Sequence, residues 1–358
     1  MRSQPFTLGA VPERTSQGGA VFFRTRPNLP YLKRGKNMTK NSSKRRQSRY
    51  SGIGGQAVLE GVMMKNGTKY AVAVRKPDGD IDIQIEEYKG FCSDKSVTKL
   101  PFVRGVFAFI DSLVLGMRVT MHSASFYEEE DGEQEKKTSG SRSDDIMMGF
   151  TVALSVIIAV ALFMLVPFLI SDLMGKYIRN ASVVALLEGI LRILIFVGYI
   201  LAISLMKDIK RLYMYHGAEH KCINCIERGR PLTVKDVMRS SRQHKRCGTS
   251  FLLFVVLVSV IVFFFIRVDN LALKLVLRLL LVPVIAGISY EIIRLAGRSD
   301  NVIIRIVSEP GMWMQRLTTK EPDEEMVKVA IASVEAVFDW KAYLNETFGY
   351  EVDDSWLE

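Results

Sequence analysis

Two histidines and a glutamate fall within five consecutive positions of the segment YHGAEHK, which covers 215–221. On an α-helix, His216 and His220 lie one turn apart on the same face, and Glu219 lies beside them. Two imidazoles at this spacing can hold one zinc ion, and a neighbouring carboxylate can take a proton from water. The H-x-x-E-H pattern therefore predicts a hydrolytic metal site with Glu219 as the catalytic base.

Such a site needs a third ligand, and the segment 241–250 offers two candidates, His244 and Cys247. Both precede an apolar run. If that run packs antiparallel to the apolar run before 207, either side chain can approach His216 and His220. We therefore expect a divalent metal ion, in the first place zinc, held by this pair and by His244 or Cys247.

Two other interpretations use the same residues. Cys222-x-x-Cys225 followed by His244-x-x-Cys247 has the spacing of a closed, structural Cys₃His zinc site, which requires the helix to end before Cys222. Alternatively, the polar side chains hydrogen-bond to one another and to a helix end without any metal. The sequence alone leaves these alternatives open.

Long apolar runs must position these residues. Each run is long enough to cross the hydrocarbon core of a bilayer, so the sequence predicts a four-helix transmembrane domain over 146–293 with a loop at 207–249. Charged residues interrupt only two of the runs, and Glu188 and Arg192 are spaced to pair on one helical face. The runs are 146–171, 182–206, 248–266 and 271–293.

The distribution of basic residues predicts the orientation. Eleven Lys and Arg residues fall in 207–249, against two in 172–181 and one in 267–270. Loops rich in Lys and Arg stay in the cytoplasm, so the loop and both termini are expected there, in a multi-pass protein of the plasma membrane. The formal charge of +10 then favours anionic lipid headgroups and a membrane-protein partner, and it argues against nucleic acid.

The remaining segments are smaller. Strands at 70–74 and 81–88 are predicted to form a β-hairpin, and an apolar helix at 102–126 is expected to lie in the membrane interface or pack on the bundle. An amphipathic helix is predicted from Pro322 to Trp340. Residues 1–50 hold twelve Lys and Arg, lack the apolar core of a signal peptide and include Met38 as an alternative start.

The predicted fold is therefore a mainly α membrane protein with a small N-terminal β-hairpin region and a C-terminal amphipathic helix. Its predicted parts are a disordered basic tail (1–50), a cytoplasmic hairpin and helix region (51–126), a flexible linker (127–145), the transmembrane domain (146–293) and a cytoplasmic C-terminal region (294–358).

Several segments together resemble the YqhQ-like family of bacterial integral membrane proteins, from about residue 51 to residue 337. The segments are GGQAVLEGVMM, YHGAEHK, HKRCGTSFLL, AGISYEIIRLAGR and PGMWMQRLTTKEPDEEMVKVAIAS. The resemblance implies a membrane protein of a family catalogued as of unknown function, and sometimes as a metal-dependent enzyme. It implies motif positions at Glu60, His216, Glu219, His220, His244, Arg246 and Cys247, and it leaves out Cys222 and Cys225.

Two hypotheses of function follow. The first is a metal-dependent hydrolase at the cytoplasmic membrane face, acting on a membrane peptide or a lipid headgroup. The second is a non-enzymatic membrane scaffold, or an assembly or translocation factor, whose polar cluster is structural. A transporter ranks third, because few charged groups fall inside the apolar runs.

Overall fold

A small antiparallel sheet precedes a set of long apolar helices in the computed structural model of this protein. The structure describes residues 48–90, 98, 100–127, 142–266, 268, 270–298 and 301–349. Most of the predicted basic tail and linker therefore lies outside the described residues. A helix begins at Arg142 and so includes the last four residues of the segment predicted as a linker.

The sheet has four strands in the order β1 (Gly54–Val58), β2 (Gly61–Asn66), β3 (Lys69–Arg75) and β4 (Ile81–Glu87). The predicted hairpin is confirmed as β3 paired with β4, but the prediction missed β1 and β2. Both faces of β2 are buried, so its sequence lacks the alternation of polar and apolar residues that reveals a half-exposed strand.

The helices of the described residues follow in chain order. They are α1 (Val103–Ser125), α2 (Arg142–Val160), α3 (Val166–Gly175), α4 (Ala181–Ile203), α5 (Lys207–Glu227), α6 (Val234–Met238), α7 (Gly248–Phe264), α8 (Leu271–Arg298), α9 (Val302–Thr318), α10 (Glu324–Val337) and α11 (Trp340–Phe348). A π-helical turn, Ala161–Leu165, joins α2 to α3.

Three helical stretches are long and apolar enough to cross a membrane: Ala153–Gly175, Ala181–Ile203 and Leu271–Gly297. They correspond to three of the four predicted spans. The remaining predicted span is α7, which is apolar but has only 17 residues.

These helices pack antiparallel to their neighbours. Arg192 and Phe196 in α4 contact Phe163 at the π-turn, whereas Glu188, nearer the start of α4, contacts Ser171 in α3. Helices α4 and α7 are antiparallel for the same reason. Residues 196 and 200 near the end of α4 pack with 253 and 256 of α7, whereas Gly189 near the start of α4 lies against Val260, farther along α7.

A buried charge cluster crosses the bundle. The predicted pair of Glu188 and Arg192 is confirmed at 2.6 Å, and Arg278 from α8 adds two hydrogen bonds to the same carboxylate, at 2.6 and 2.9 Å. Glu291, also in α8, pairs instead with Arg104 of α1.

The second apolar helix does not continue into the segment 207–249. Helix α4 ends at Ile203, and α5 begins at Lys207 after three non-helical residues. Met206 has an extended backbone, with φ −69° and ψ 135°, so the chain changes direction there. The change of direction leaves α5 packed against the sheet.

Outside the bundle, helices cover both faces of the sheet. Helix α1 packs Leu115 and Val119 on Val58, Val72 and neighbouring residues, and it also contacts α8. Helices α5 and α10 pack on β1 to β3 and on each other. The predicted amphipathic helix is confirmed as α10, with Asp323 accepting from the Met326 N–H as its N-cap, and α11 was missed.

Candidate metal site

Helix α5 brings the two predicted imidazoles and the carboxylate together. The ring centroids of His216 and His220 are 4.4 Å apart. The Nε2 atoms of these rings lie 3.8 and 3.9 Å from Oε2 of Glu219. The three side chains are largely buried, and His216 is the most exposed of them at 14%.

Backbone carbonyls fix the orientation of both rings. Nδ1 of His216 lies 2.9 Å from the carbonyl oxygen of Thr318, and Nδ1 of His220 lies 2.6 Å from that of Arg242. A carbonyl can only accept a hydrogen bond, so each Nδ1 must carry a proton. When the rings are neutral, the lone pairs on Nε2 are therefore free to bind a metal, as in known histidine metal sites.

Cys247 completes the group. It is the N-cap residue of α7, and its Sγ lies 3.3 Å from His216 Nε2 and 3.0 Å from the Thr249 hydroxyl. Ligand atoms of His216, His220 and Cys247 all lie within 4.8 Å of one another. Within the described part of the chain, this is the one group of three or more such side chains close enough to hold a metal ion.

The second candidate for third ligand points elsewhere. The ring of His244 lies 5.8 Å from that of His220, but its Nε2 is 3.3 Å from Oε2 of Glu227. Gln315 fixes the His244 backbone, accepting from its N–H at 2.8 Å and donating to its carbonyl at 2.7 Å. The geometry therefore favours Cys247 over His244 as the third ligand.

The closed Cys₃His arrangement is not formed. Helix α5 continues through both Cys222 and Cys225, against the condition that this interpretation required. The Cys225 thiol instead lies 3.2 Å from the carbonyl oxygen of Pro231. Both thiols are fully buried. Burial raises the pKa of Cys222 well above its usual range and the pKa of Cys225 to about 12, so neither is poised as a thiolate.

Electrostatics favours a thiolate at Cys247. Burial alone would raise the pKa of this thiol, but the adjacent imidazoles of His216 and His220 bring the pKa well below its usual range. Burial likewise opposes a charge on His216, yet Cys247 and Glu219 raise the pKa of its imidazole to about 9. The thiolate is the form that binds zinc, and binding would displace the His216 proton.

The donor set fits a tetrahedral zinc ion. Zinc–nitrogen and zinc–sulfur bonds of known length place tetrahedral ligands roughly 3.3–3.6 Å apart. The observed 3.3 Å between Cys247 Sγ and His216 Nε2 is within that range. The other ligand atoms are at most 4.8 Å apart, so small side-chain movements would bring them to bonding positions around one ion. Catalytic zinc sites have three protein ligands and leave the fourth position to water or substrate, and two histidines and one cysteine would supply those three ligands.

Glu60 and Arg246, which the family resemblance singled out, lie beside the cluster. Glu60 accepts from the Tyr215 hydroxyl at 3.1 Å and from Arg211 at 2.6 Å, which ties the β1–β2 turn to α5. Arg246 pairs with Glu227 and stacks on the ring of Tyr50. Both residues therefore connect segments of the chain that surround the cluster.

Sequence reasoning missed Glu227, although a signal existed. Glu227 follows His220 by seven residues, which is two helical turns and places both on one face of α5. Its carboxylate accepts from the Ser51 N–H at 3.0 Å and from the Ser51 hydroxyl at 2.9 Å, in addition to its contacts with His244 and Arg246. Glu227 thereby joins the N-terminal segment to the segment before α7.

Taken together, the fold and the site define a helical protein with apolar helices long enough for a membrane and a His–His–Cys cluster beside them. Residues 100–340 match the family described as "Protein of unknown function (DUF1385)". The chain is 37% identical over 286 residues to "Uncharacterized protein YqhQ" of Bacillus subtilis (strain 168), which covers 78% of this chain and 90% of that relative. The chain belongs to this family, as the resemblance predicted. No solved structure matches it.

Proposed function

We propose that this protein binds a divalent metal ion, in the first place zinc, through His216, His220 and Cys247 and uses it for hydrolysis. One observation carries the proposal. The Nε2 atoms of two carbonyl-anchored imidazoles converge with a thiol sulfur, with all ligand atoms within 4.8 Å of one another. The substrate is expected to be a membrane peptide or a lipid headgroup.

Glu219 would act as the general base. It is 4% exposed, and its Oε2 lies 3.8 and 3.9 Å from the two Nε2 atoms, so it can take a proton from a water molecule beside the ligands. A bound zinc ion would act as a Lewis acid on a substrate carbonyl or phosphoryl oxygen. The backbone carbonyls of Thr318 and Arg242 would keep both imidazoles in the ligand tautomer.

We further propose that α7 is a fourth membrane span and that the site lies at the cytoplasmic face. Contacts among the sheet, α5 and α10 support this topology, because elements that touch lie on the same side of a membrane. Between α5 and α10 the chain must then cross an even number of times, which requires α7 in addition to α8. The Lys and Arg excess in 207–249 favours the cytoplasm for that side.

Metal analysis of the purified protein tests the proposal. We expect about one zinc ion per chain in protein purified in mild detergent without chelators, and loss of the metal in His216→Ala, His220→Ala and Cys247→Ser. His122→Ala is the matched control, because His122 lies in α1, faces Asp82 of β4 and is not a member of the His–His–Cys group. Metal-free wild-type protein, or variants that keep their metal, would overturn the proposal.

A second candidate function is a membrane scaffold, or an assembly or translocation factor, whose cluster is structural. The burial of His220 and Cys247, 1% and 4% exposed, favours it, since a closed site holds an ion without turning over a substrate. Glu219→Gln separates the two functions in cells. If the variant keeps its metal and loses cellular function, the site is catalytic. If it keeps both, the ion is structural.

A further inference from the structure

Helix α9 has its polar side inside the protein and its apolar side outside. Gln315, Ser308 and Thr318 are 0%, 5% and 1% exposed. By contrast, Ile303 and Ile306 are 69% and 66% exposed. A helix surrounded by water has the opposite arrangement.

The exposed side chains of α9 form two separate sectors. At 100° per residue, the exposed apolar residues occupy one continuous arc of roughly 140°. A charged edge formed by Arg305, Glu309 and Arg316 borders that arc. The apolar arc, named here the α9 apolar face, consists of Val302, Ile303, Ile306, Val307, Pro310 and Trp313.

The packing of α9 fixes its depth relative to the apolar helices. Met314 packs with residues 196, 200, 253 and 256, which belong to α4 and to α7. A Cβ at Gly311 would lie 2.8 Å from Ser250 and 3.3 Å from Phe254, so α9 lies directly on the first turns of α7. Helix α9 therefore packs against the first turns of α7 and the last turns of α4, next to the candidate metal site.

The helices α4 and α8, which both contact α9, also end in exposed apolar side chains. Leu205 and Met206 at the end of α4 are 84% and 55% exposed, and Leu295 of α8 is 54% exposed. We infer that α9 lies in the plane of the membrane interface, with the α9 apolar face inserted into the lipid leaflet on the side of the metal site. Trp313 and the flanking arginines are residue types that anchor such helices at headgroup depth.

The inference also fixes the depth of the candidate site. The carbonyl oxygen that accepts from His216 belongs to Thr318, the last residue of α9. Trp313 precedes it by five residues, which is about 7.5 Å along the helix axis. The histidines then lie at headgroup depth, within reach of a substrate held in that leaflet.

Fluorescence quenching by brominated lipids tests the inference. The full-length chain carrying Trp340→Phe and Trp356→Phe keeps Trp313 as its single tryptophan, and it is reconstituted into vesicles of phosphatidylcholine and phosphatidylglycerol. We expect strong quenching of Trp313, greater with bromine near the headgroup end of the acyl chain than near the methyl end. The matched control carries Trp313→Phe and Trp356→Phe and reports on Trp340, which is 3% exposed.

Trp313 should be quenched roughly twofold or more relative to Trp340. A second variant, Ile306→Asp in the single-Trp313 background, places a charge in the middle of the α9 apolar face and should reduce the quenching. Equal quenching of Trp313 and Trp340 would overturn the inference. That result would mean that water, a second copy of the chain or another protein covers the α9 apolar face.

Discussion

The imidazole of His216 is held from two directions by groups with different roles. The Thr318 carbonyl fixes its Nδ1 proton, and the Cys247 sulfur lies 3.3 Å from its Nε2. Because the carbonyl comes from α9 and the sulfur from the start of α7, the ligand geometry depends on packing between helices that are distant in sequence. Such packing pre-organises the ligands before an ion arrives.

A glycine in β1 sets the space around Glu219. A Cβ at Gly55 would lie 2.7 Å from the Met63 carbonyl oxygen and 2.8 Å from Glu219 Cγ, whereas Gly54 has nothing within 4 Å. We expect Gly55→Ala to lower the free energy of unfolding by about 1–3 kcal/mol through overpacking. Unfolding in mild detergent measures the change, and Gly54→Ala is the matched control. Equal stability of the two variants would contradict this account.

The carboxyl of Glu227 makes the stability of the fold depend on pH. Burial alone would raise the pKa of this carboxyl, but His244 and Arg246 lower it from 4.5 to about 2. A carboxyl whose pKa is depressed by folding stabilises the fold above its unfolded pKa, and the stability is lost as the pH falls from 4.5 toward 2. The contribution is on the order of 3 kcal/mol.

Unfolding of the wild type and Glu227→Gln at pH 7 and near pH 3 tests this expectation. The variant should be less stable than the wild type at pH 7, and the difference should shrink at the lower pH. Glu324→Gln, at an exposed position in α10, serves as the control. A difference independent of pH would show that the Glu227 charge does not stabilise the fold.

The residues of the cluster could be predicted from sequence, but their supports could not. His216, His220 and Glu219 follow from helical spacing, and Cys247 follows from its position before an apolar run. The Thr318 and Arg242 carbonyls carry no side-chain signature, because every residue has a backbone carbonyl. The choice of Cys247 over His244 likewise depended on Gln315, 68 residues beyond the cysteine.

At the scale of elements, the break between α4 and α5 decides where the site lies. Residues 201–208 contain neither glycine nor proline, so the sequence gives no local signal for it. Burial of α5 against the sheet and α10 favours the change of direction over helix continuation. In β2, burial on both faces likewise removed the alternating pattern that predicts a strand.

The charge cluster of α4 and α8 joins two helices inside the bundle. Glu188, Arg192 and Arg278 are 4%, 3% and 2% exposed, and both guanidinium groups depend on the one carboxylate. Glu188→Gln would leave two buried cations without a counter-charge. We expect a loss of about 3–5 kcal/mol in the free energy of unfolding.

Thermal unfolding in detergent micelles compares Glu188→Gln with Asp172→Asn, which removes an exposed carboxylate from the end of α3. Only the first variant should unfold at a clearly lower temperature. If both variants unfold at the same temperature as the wild type, other groups stabilise the charges of the two arginines. The rings of Phe168 and Phe263, which lie against Arg278, are examples of such groups.

At the scale of the whole molecule, contacts among the sheet, α5 and α10 limit the number of membrane crossings that the fold allows. The sheet precedes all the apolar helices, α5 lies between α4 and α7, and α10 follows α8, yet the three pack together. By composition and length, three helices are candidate spans, and α7 is apolar but has only 17 residues. Because α5 and α10 touch, the chain must cross the membrane an even number of times between them, which favours α7 as a short fourth span. A membrane accommodates a short span by local thinning.

Reporter cysteines test the four-span topology with an impermeant maleimide on intact cells. Cys222, Cys225 and Cys247 are 0–4% exposed, so a Cys92→Ser background should give little labelling. Tyr177→Cys and Asn270→Cys lie in the two connections expected outside, and Thr68→Cys lies in the β2–β3 turn expected inside. We expect labelling of the first two in intact cells and of Thr68→Cys only after permeabilisation. Protection of Asn270→Cys together with labelling of Tyr177→Cys would show that α7 does not span the membrane. The reverse labelling pattern at all three positions would show that the protein has the opposite orientation.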